Sequence, residues 1–283
     1  MEIIKSIKKM QETVDFYKAK EKIISCVPTM GFLHDGHLSL IKYANENSDL
    51  VVTTLFINPL QFGPNEDFVK YPRDVESDSR KAEENGADIL FIPQINDMYS
   101  DSFQTNIQVK EITSKFEGVF RPGHFDGVAT VVNKLFNAVK PHLAIFGRKD
   151  YQQTLLIKRM VNDLNMNIDI IVRPTVREKD GLAKSSRNVY LNDKNRAKAT
   201  ILYKALKETE QLILNGERER LTINRRLNKI LNTIPDIRID YAVAALAENL
   251  DEPKYFDEWM EIVLLIAVHL GNTRLIDNLI VKL

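Results

Sequence analysis

Pro28-Thr-Met-Gly-Phe-Leu-His-Asp-Gly-His37 follows the apolar run Ile23-Ile-Ser-Cys-Val27 and precedes Leu38, Leu40, Ile41 and Ala44 at helical spacing. The run is short, apolar and closed by Pro28 and Gly31, which predicts a buried strand. The spacing that follows predicts a helix with His37 in its first turn. A strand, a glycine turn and a helix in that order aim free backbone N–H groups and the positive end of the helix dipole at one place, which suits a phosphate. His34 and His37 face the same place and add imidazole donors, and Gly36 leaves room for a flat ligand against the main chain. The stretch reads as a nucleotide site. On spacing alone, a His-x-x-His pair is also an ordinary feature of a helix start. A zinc site lacks a third ligand nearby, because the only cysteine, Cys26, lies in the strand itself.

Working outward, Asp49–Ile57, Ala87–Ile92, His142–Phe146 and Ile168–Val172 are further strand-like runs. Helical patterns at 73–85, 127–138 and 151–163 alternate with them, and Gly86 is a plausible cap of the first. Strands alternating with helices imply an α/β fold: a Rossmann-like, doubly wound parallel sheet with ligands at the carboxyl ends of its strands. After Val176 the texture changes to two helical patterns, 193–215 and 217–231, and two strand-like runs, 237–244 and 261–268. We therefore expect a catalytic domain over 1–175 and a smaller α+β domain over 176–283.

The 283 residues carry 39 basic and 39 acidic side chains, a balance that disfavours nucleic acid as a partner. The densest basic run, 218–226, has acidic neighbours at its start and reads as a solvated helix face. A single cysteine excludes an internal disulfide framework. The longest apolar stretch, 262–268, falls well short of the roughly 20 residues a membrane span needs. With no signal-peptide pattern at the start, the expectation is a cytoplasmic protein without membrane or nucleic-acid partners.

Three more clusters follow strand-like runs. Asn58 and Gln61 in Asn58-Pro-Leu-Gln-Phe62 offer neutral amides that can hold a hydroxyl or a carboxylate, although Asn-Pro is also a common turn. In Phe146-Gly-Arg-Lys-Asp-Tyr-Gln-Gln153, Gly147 permits close approach and Lys149 could neutralise phosphate. There Asp150 could bind a hydroxyl or simply cap a helix, and Gln153 follows about one turn later. In Gly181-Leu-Ala-Lys-Ser-Ser-Arg-Asn188, two hydroxyls and an arginine can donate to phosphate oxygens.

A His-x-Gly-His element paired with a downstream Lys-Ser-Ser-Arg loop resembles the ATP-binding signatures of the nucleotidylyltransferase superfamily, which includes class I aminoacyl-tRNA synthetases. More narrowly, Pro28–His37, Phe56-Ile-Asn-Pro-Leu-Gln-Phe-Gly63, Tyr71-Pro-Arg73, Lys149-Asp-Tyr-Gln-Gln153 and Ser185-Ser-Arg-Asn188 resemble the pantothenate synthetase (pantoate–β-alanine ligase) family, in the family's order. The resemblance implies ATP-dependent condensation of (R)-pantoate with β-alanine through pantoyl adenylate, giving pantothenate, AMP and pyrophosphate. It places Met30, Gly31, Phe32, Leu33, His34, Asp35, Gly36 and His37 in the ATP site, with His37 as proton donor. Gly147, Arg148, Lys149 and Asp150 bind ATP, Val176 meets adenine, and Lys184, Ser185, Ser186 and Arg187 close over the triphosphate.

By the same resemblance Gln61, Gln153 and Asn58 serve pantoate, Gln61 also β-alanine, and Asp78 holds magnesium. A homodimer is implied, with the sheet edge or 116–124 as candidate faces. Gly63–Asp67 is a candidate lid. Two positions depart from the family pattern: Lys184, commonly methionine, and Arg148, often acidic or polar. The alternatives are another nucleotidylyltransferase, which would not pair both amide motifs, a tRNA binder, and a catalytically dead nucleotide-binding protein.

Overall fold

The structure, a computed structural model, describes residues 1–64 and 66–283. The chain divides into two compact units, one of residues 1–148 and 152–174, the other of 149–151 and 175–283.

The first unit is built on six parallel strands: β1 (Glu2–Ile4), β2 (Ile24–Thr29), β3 (Leu50–Leu55), β4 (Ile89–Phe91), β5 (Leu143–Gly147) and β6 (Asp169–Arg173). Their order is β1-β4-β3-β2-β5-β6. The helices are α1 (Ile7–Lys18), α2 (Asp35–Asn47), α3 (Val75–Glu84), short α4 (Ile95–Met98) and α5 (Glu117–Phe120), α6 (His124–Val139) and α7 (Tyr151–Asp163). Strand side chains alternate between two cores. Cys26, Val52, Ile89, Phe91, Ala144 and Phe146 pack with residues of α1, α6 and α7. Val27, Val51, Leu90 and Ile145 pack with Leu40, Ile41 and Ala44 of α2 and Ala82 of α3. Period-two strands with apolar residues on both faces are what a sheet covered on both sides demands. The expected doubly wound α/β sheet is present, and the strand order reverses between β2 and β5. In such folds the crevice outside the carboxyl ends of those two strands is the ligand position.

β1 and α1 are among the elements that lie outside the expected pattern. β1 is only three residues long, pairing Glu2 with Ile89 through Ile4 with Phe91. α1 is capped by the Ser6 hydroxyl, which accepts from Lys9 N, and buries only Met10 and Val14.

The second unit contains α8 (Asp193–Lys198), α9 (Ile201–Leu214), α10 (Arg220–Leu231) and an antiparallel sheet β7 (Arg238–Leu246), β8 (Glu261–Leu270), β9 (Thr273–Lys282). The single helix expected over 193–215 is two, broken at Ala199 and Thr200. β8 is the central strand, which explains an apolar run buried from Ile262 to Val268. No helix among the described residues is long and apolar enough to cross a membrane.

Candidate active site

In the first unit, β2 ends at Thr29 and the chain turns through Met30–Leu33. Gly31 has φ +90°, and a Cβ there would stand 2.9 Å from Leu55 Cδ2 and 3.0 Å from Asp78 Oδ2, so glycine is required. Phe32 also has positive φ, +53°. A bulky residue in that region stores strain of order 1–3 kcal/mol, and it persists only where neighbours hold it. Asp78 on α3 does so: its Oδ2 accepts from Phe32 N and its Oδ1 from Leu33 N, both at 2.7 Å. One turn further along α3, Lys81 Nζ donates to Leu33 O at 2.9 Å.

Asp78 is 2 % exposed, and each carboxylate oxygen holds a loop amide. Burial pushes its pKa up, against the opposing pull of those amides and of Lys81. Asp78, the residue expected to help hold magnesium, is in this structure the clamp of the turn, with one accepted bond on each oxygen. Among the described residues, no three His, Cys, Asp or Glu side chains gather in a group that could hold a metal.

The turn delivers two histidines to the start of α2. His34 is the N-cap, its Nδ1 accepting from Gly36 N at 3.1 Å, and His34 N donates to His37 Nδ1 at 3.4 Å. The rings stack 4.1 Å apart. Backbone amides can only donate, so both Nδ1 atoms are acceptors and each neutral ring carries its N–H on Nε2. A reciprocal cap of this kind fixes the two imidazoles as donors at a helix N-terminus.

A second turn lies beside the first. After β3, a 3-10 turn at Pro59–Gln61 is capped by Asn58, whose Oδ1 accepts from Leu60 N. Asn58 Nδ2 donates to Gln61 Oε1 and to Gly127 O, and Gln61 Nε2 lies 2.9 Å from Met30 Sδ. This last contact joins the Asn58–Gln61 turn to the Met30–His37 turn. α6 approaches so closely that a Cβ on Gly127 would stand 2.3 Å from Leu60 O. Asn58, expected to bind substrate, is 1 % exposed with all its hydrogen-bonding positions taken by protein, so it supports Gln61 instead.

At the end of β5, Arg148 N donates to Arg173 O at 2.8 Å. The space over Gly147 is open, since a Cβ there would meet only Leu40 Cδ1 at 4.0 Å. Gln153 is half-buried on α7. Its neighbour Gln152 is buried, accepting from Glu117 N and donating to Ile112 O and Lys115 O.

In the second unit, Lys149 Nζ and Asp150 Oδ1 are 3.6 Å apart, and Asn278 Nδ2 donates to Lys149 O. Val176 O accepts from Lys184 N, and Glu178 N donates to Leu182 O, so 176–184 is a small hairpin. Arg177 braces it with a two-point contact to Asp277 at 2.6 and 2.9 Å. Lys184, the departure from the family pattern, pairs with Glu178 at 3.1 Å, so its charge is locally balanced. Ser185 Oγ caps a 3-10 turn over Ser186–Tyr190 by accepting from Arg187 N, and Ser186 is buried.

The sequence model described as pantoate-beta-alanine ligase matches residues 2–280. The chain belongs to the pantoate–β-alanine ligase family. Pantothenate synthetase of Thermodesulfovibrio yellowstonii is 50 % identical over 283 residues, all of both chains, and that of Thermoanaerobacter pseudethanolicus 48 % identical over 280 residues, 99 % of this chain and 98 % of the other. Among solved structures, pantothenate synthetase from Thermus thermophilus superposes with TM-score 0.92 at 41 % identity, covering 99 % of each chain. Pantoate-beta-alanine ligase from Francisella tularensis, complexed with beta-gamma ATP and beta-alanine, gives TM-score 0.79 at 34 % identity, covering 99 % of this chain and 97 % of that one.

As a ligase of this family the protein joins pantoate to β-alanine to give pantothenate. Sequence reading missed the residues that brace the ligase site: Lys81, Tyr99, Arg121 and His124. His124 Nδ1 is 2.8 Å from Gln61 O, and Arg121 Nη1 is 3.0 Å from His124 Nε2. Arginine only donates, so His124 is neutral and gives its Nδ1–H to Gln61 O. Arg121 also grips Glu66 of the expected lid stretch at 2.6 and 2.7 Å; Asn65 in that stretch lies outside the described residues. The spacing Arg121-x-x-His124 just ahead of a helix was the available signal.

Proposed function

We propose that the chain makes pantothenate in two steps, the first activating pantoate at the α-phosphate of ATP. A carboxylate oxygen of pantoate attacks the α-phosphorus, the bond to the bridging oxygen breaks, and pyrophosphate leaves with the electron pair. The β-alanine amine then attacks the acyl carbon of pantoyl adenylate, expelling AMP and losing a proton to give the amide. The complex of the Francisella ligase supports ATP and β-alanine as the other two substrates.

The stacked pair His34 and His37 carries the reading, because it sets two Nε2–H donors at the positive N-terminal end of α2. Such preorganised donors stabilise charge that grows on a departing pyrophosphate. Around them Met30–His37, with Gly147 and Arg148, line the nucleotide. Lys149 and Arg187 neutralise phosphate charge, Asp150 takes the ribose, Val176 the adenine, and Lys184, Ser185 and Ser186 add donors to the triphosphate. Gln61 and Gln153 hold pantoate, with Gln61 near β-alanine as well; Asn58 and Asp78 serve as braces. Magnesium belongs to the nucleotide as its counter-ion, a part of the substrate. We take the enzyme to work in the cytoplasm as a homodimer, which size-exclusion chromatography checks.

Incubation with ATP, Mg²⁺, (R)-pantoate and β-alanine tests the reaction. Equal yields of pantothenate, AMP and pyrophosphate are expected; ADP and phosphate as products would contradict attack at the α-phosphorus.

A further inference from the structure

The Gln61 side chain is held from behind by a fully committed asparagine. Asn58 Oδ1 accepts from Leu60 N at 3.2 Å and from Tyr99 OH at 2.8 Å, which fills its acceptor positions. Both Nδ2 hydrogens are used, one on Gly127 O at 3.0 Å and the other on Gln61 Oε1 at 3.2 Å. An acceptor-only carbonyl and a donor-only amide on the two sides leave Asn58 a single orientation. Gln61 Oε1 thereby faces Asn58, and Gln61 turns its nitrogen away from it, where Met30 Sδ at 2.9 Å is a weak acceptor that an oxygen atom displaces.

We propose that Tyr99 is a positioning residue for pantoate: acting through Asn58, it holds the Gln61 amide with its N–H edge toward the substrate. The proposal rests on the assignment of Gln61 to pantoate made above. It also states what Gln61 can receive. A group meeting that edge must be a hydrogen-bond acceptor, which fits the carboxylate or a hydroxyl oxygen of pantoate and excludes the ammonium form of β-alanine.

Tyr99 is suited to the task. It stands at the end of α4, its ring edge-on to Phe103 at 5.0 Å and tilted against Phe56 at 6.1 Å, so packing fixes the hydroxyl. Burial raises the phenol pKa far above its ordinary value, which keeps the proton on the oxygen. The Asn58–Gln61 contact is the longest joint in the relay, and loss of the Tyr99 hydroxyl leaves one Asn58 lone pair unfilled and the amide free to swing away from Gln61. The two backbone contacts keep Asn58 the right way round, so the effect is one of precision rather than reversal.

Tyr99→Phe keeps the ring and deletes only the donor. Steady-state kinetics on Tyr99→Phe, Gln61→Ala and the double variant test the relay. Loss of one neutral hydrogen bond corresponds to a pantoate KM raised about three- to tenfold, with kcat and the ATP KM changed less than about twofold. In the Gln61→Ala background, Tyr99→Phe is expected to add nothing to the pantoate KM, because its route to the substrate is gone. An effect as large in that background as in the parent would overturn the relay, as would an equal rise in both substrates' KM or no rise at all. A Gln61→Ala protein with an unchanged pantoate KM would instead sink the substrate assignment, and the relay with it. Thermal melts within a few degrees of the parent show that the Tyr99→Phe comparison is made between folded proteins.

Discussion

The Pro28–His37 turn and the Lys184–Asn188 turn both offer donors suited to anions, yet they are held in place by different means. The first is locked from below: a buried carboxylate takes two of its amides, Lys81 takes a carbonyl, and each histidine caps the other. The second depends on local turns and on the half-exposed pair Lys184–Glu178. A group that must meet charge only as a bond breaks has to be fixed beforehand, whereas a group that attracts a polyanion can act at a distance. The difference teaches how the proposed roles divide: the rigid first turn suits the chemistry, and the locally held second turn suits electrostatic tuning.

That contrast is sharpest at His37. Replacing it with alanine is expected to lower kcat by about 10²–10³, the usual range for one transition-state donor, with a much smaller change in the ATP KM. Rapid-quench assays of the first step check this, and a kcat within a factor of a few of the parent would erase the distinction between the turns.

Asp78→Asn comes next. One amide nitrogen would face a backbone N–H of Phe32 or Leu33, stranding a buried donor at a cost of about 1–3 kcal/mol. Both the melting temperature and kcat/KM should fall, while added magnesium restores neither. Recovery by excess magnesium would reinstate Asp78 as a metal ligand.

At the second turn, Lys184→Met is expected to raise the ATP KM by less than about threefold at low ionic strength, an effect that fades as salt is added. A large, salt-independent rise would place Lys184 among the fixed donors.

The smallest effect lies at the opposite ends of the strands. His142 Nδ1 accepts from Ile24 N, and burial, with Lys18 nearby, lowers its pKa. A depressed imidazole pKa favours the neutral ring in the fold. Its stabilisation is therefore complete above the ordinary value of about 6.5 and is lost as pH falls through that value toward the lower folded one. Denaturant midpoints between pH 7.5 and 5.5 should decline less in His142→Ala than in the parent, with kcat at neutral pH unaffected.

Much of this was legible in the chain itself. The strands at 24–29 and 143–147 stood out because apolar runs were closed by glycine or proline, and the histidine pair stood out by its spacing. β1 was not legible, since three residues carry no period. β9 was hidden by Asp277 and Asn278, adjacent polar residues that break its alternation yet are both buried. The carboxylate clamp and the Tyr99 relay were invisible for a different reason. Asp78 lies 46 residues from Phe32, and Tyr99 lies 41 from Asn58, so only the fold brings each pair together. The family resemblance pointed to Asp78 for magnesium and to Asn58 for the pantoate pocket. In the fold Asp78 holds two loop amides, and Asn58 has every hydrogen-bonding position filled by protein.

The most direct test of the account is rapid-quench measurement of pyrophosphate after mixing enzyme with saturating ATP, Mg²⁺ and (R)-pantoate, without β-alanine. Activation before amide formation predicts a burst of one pyrophosphate per active site that then stops, and resumes when β-alanine is added. No pyrophosphate until β-alanine is present would contradict a separate adenylate step.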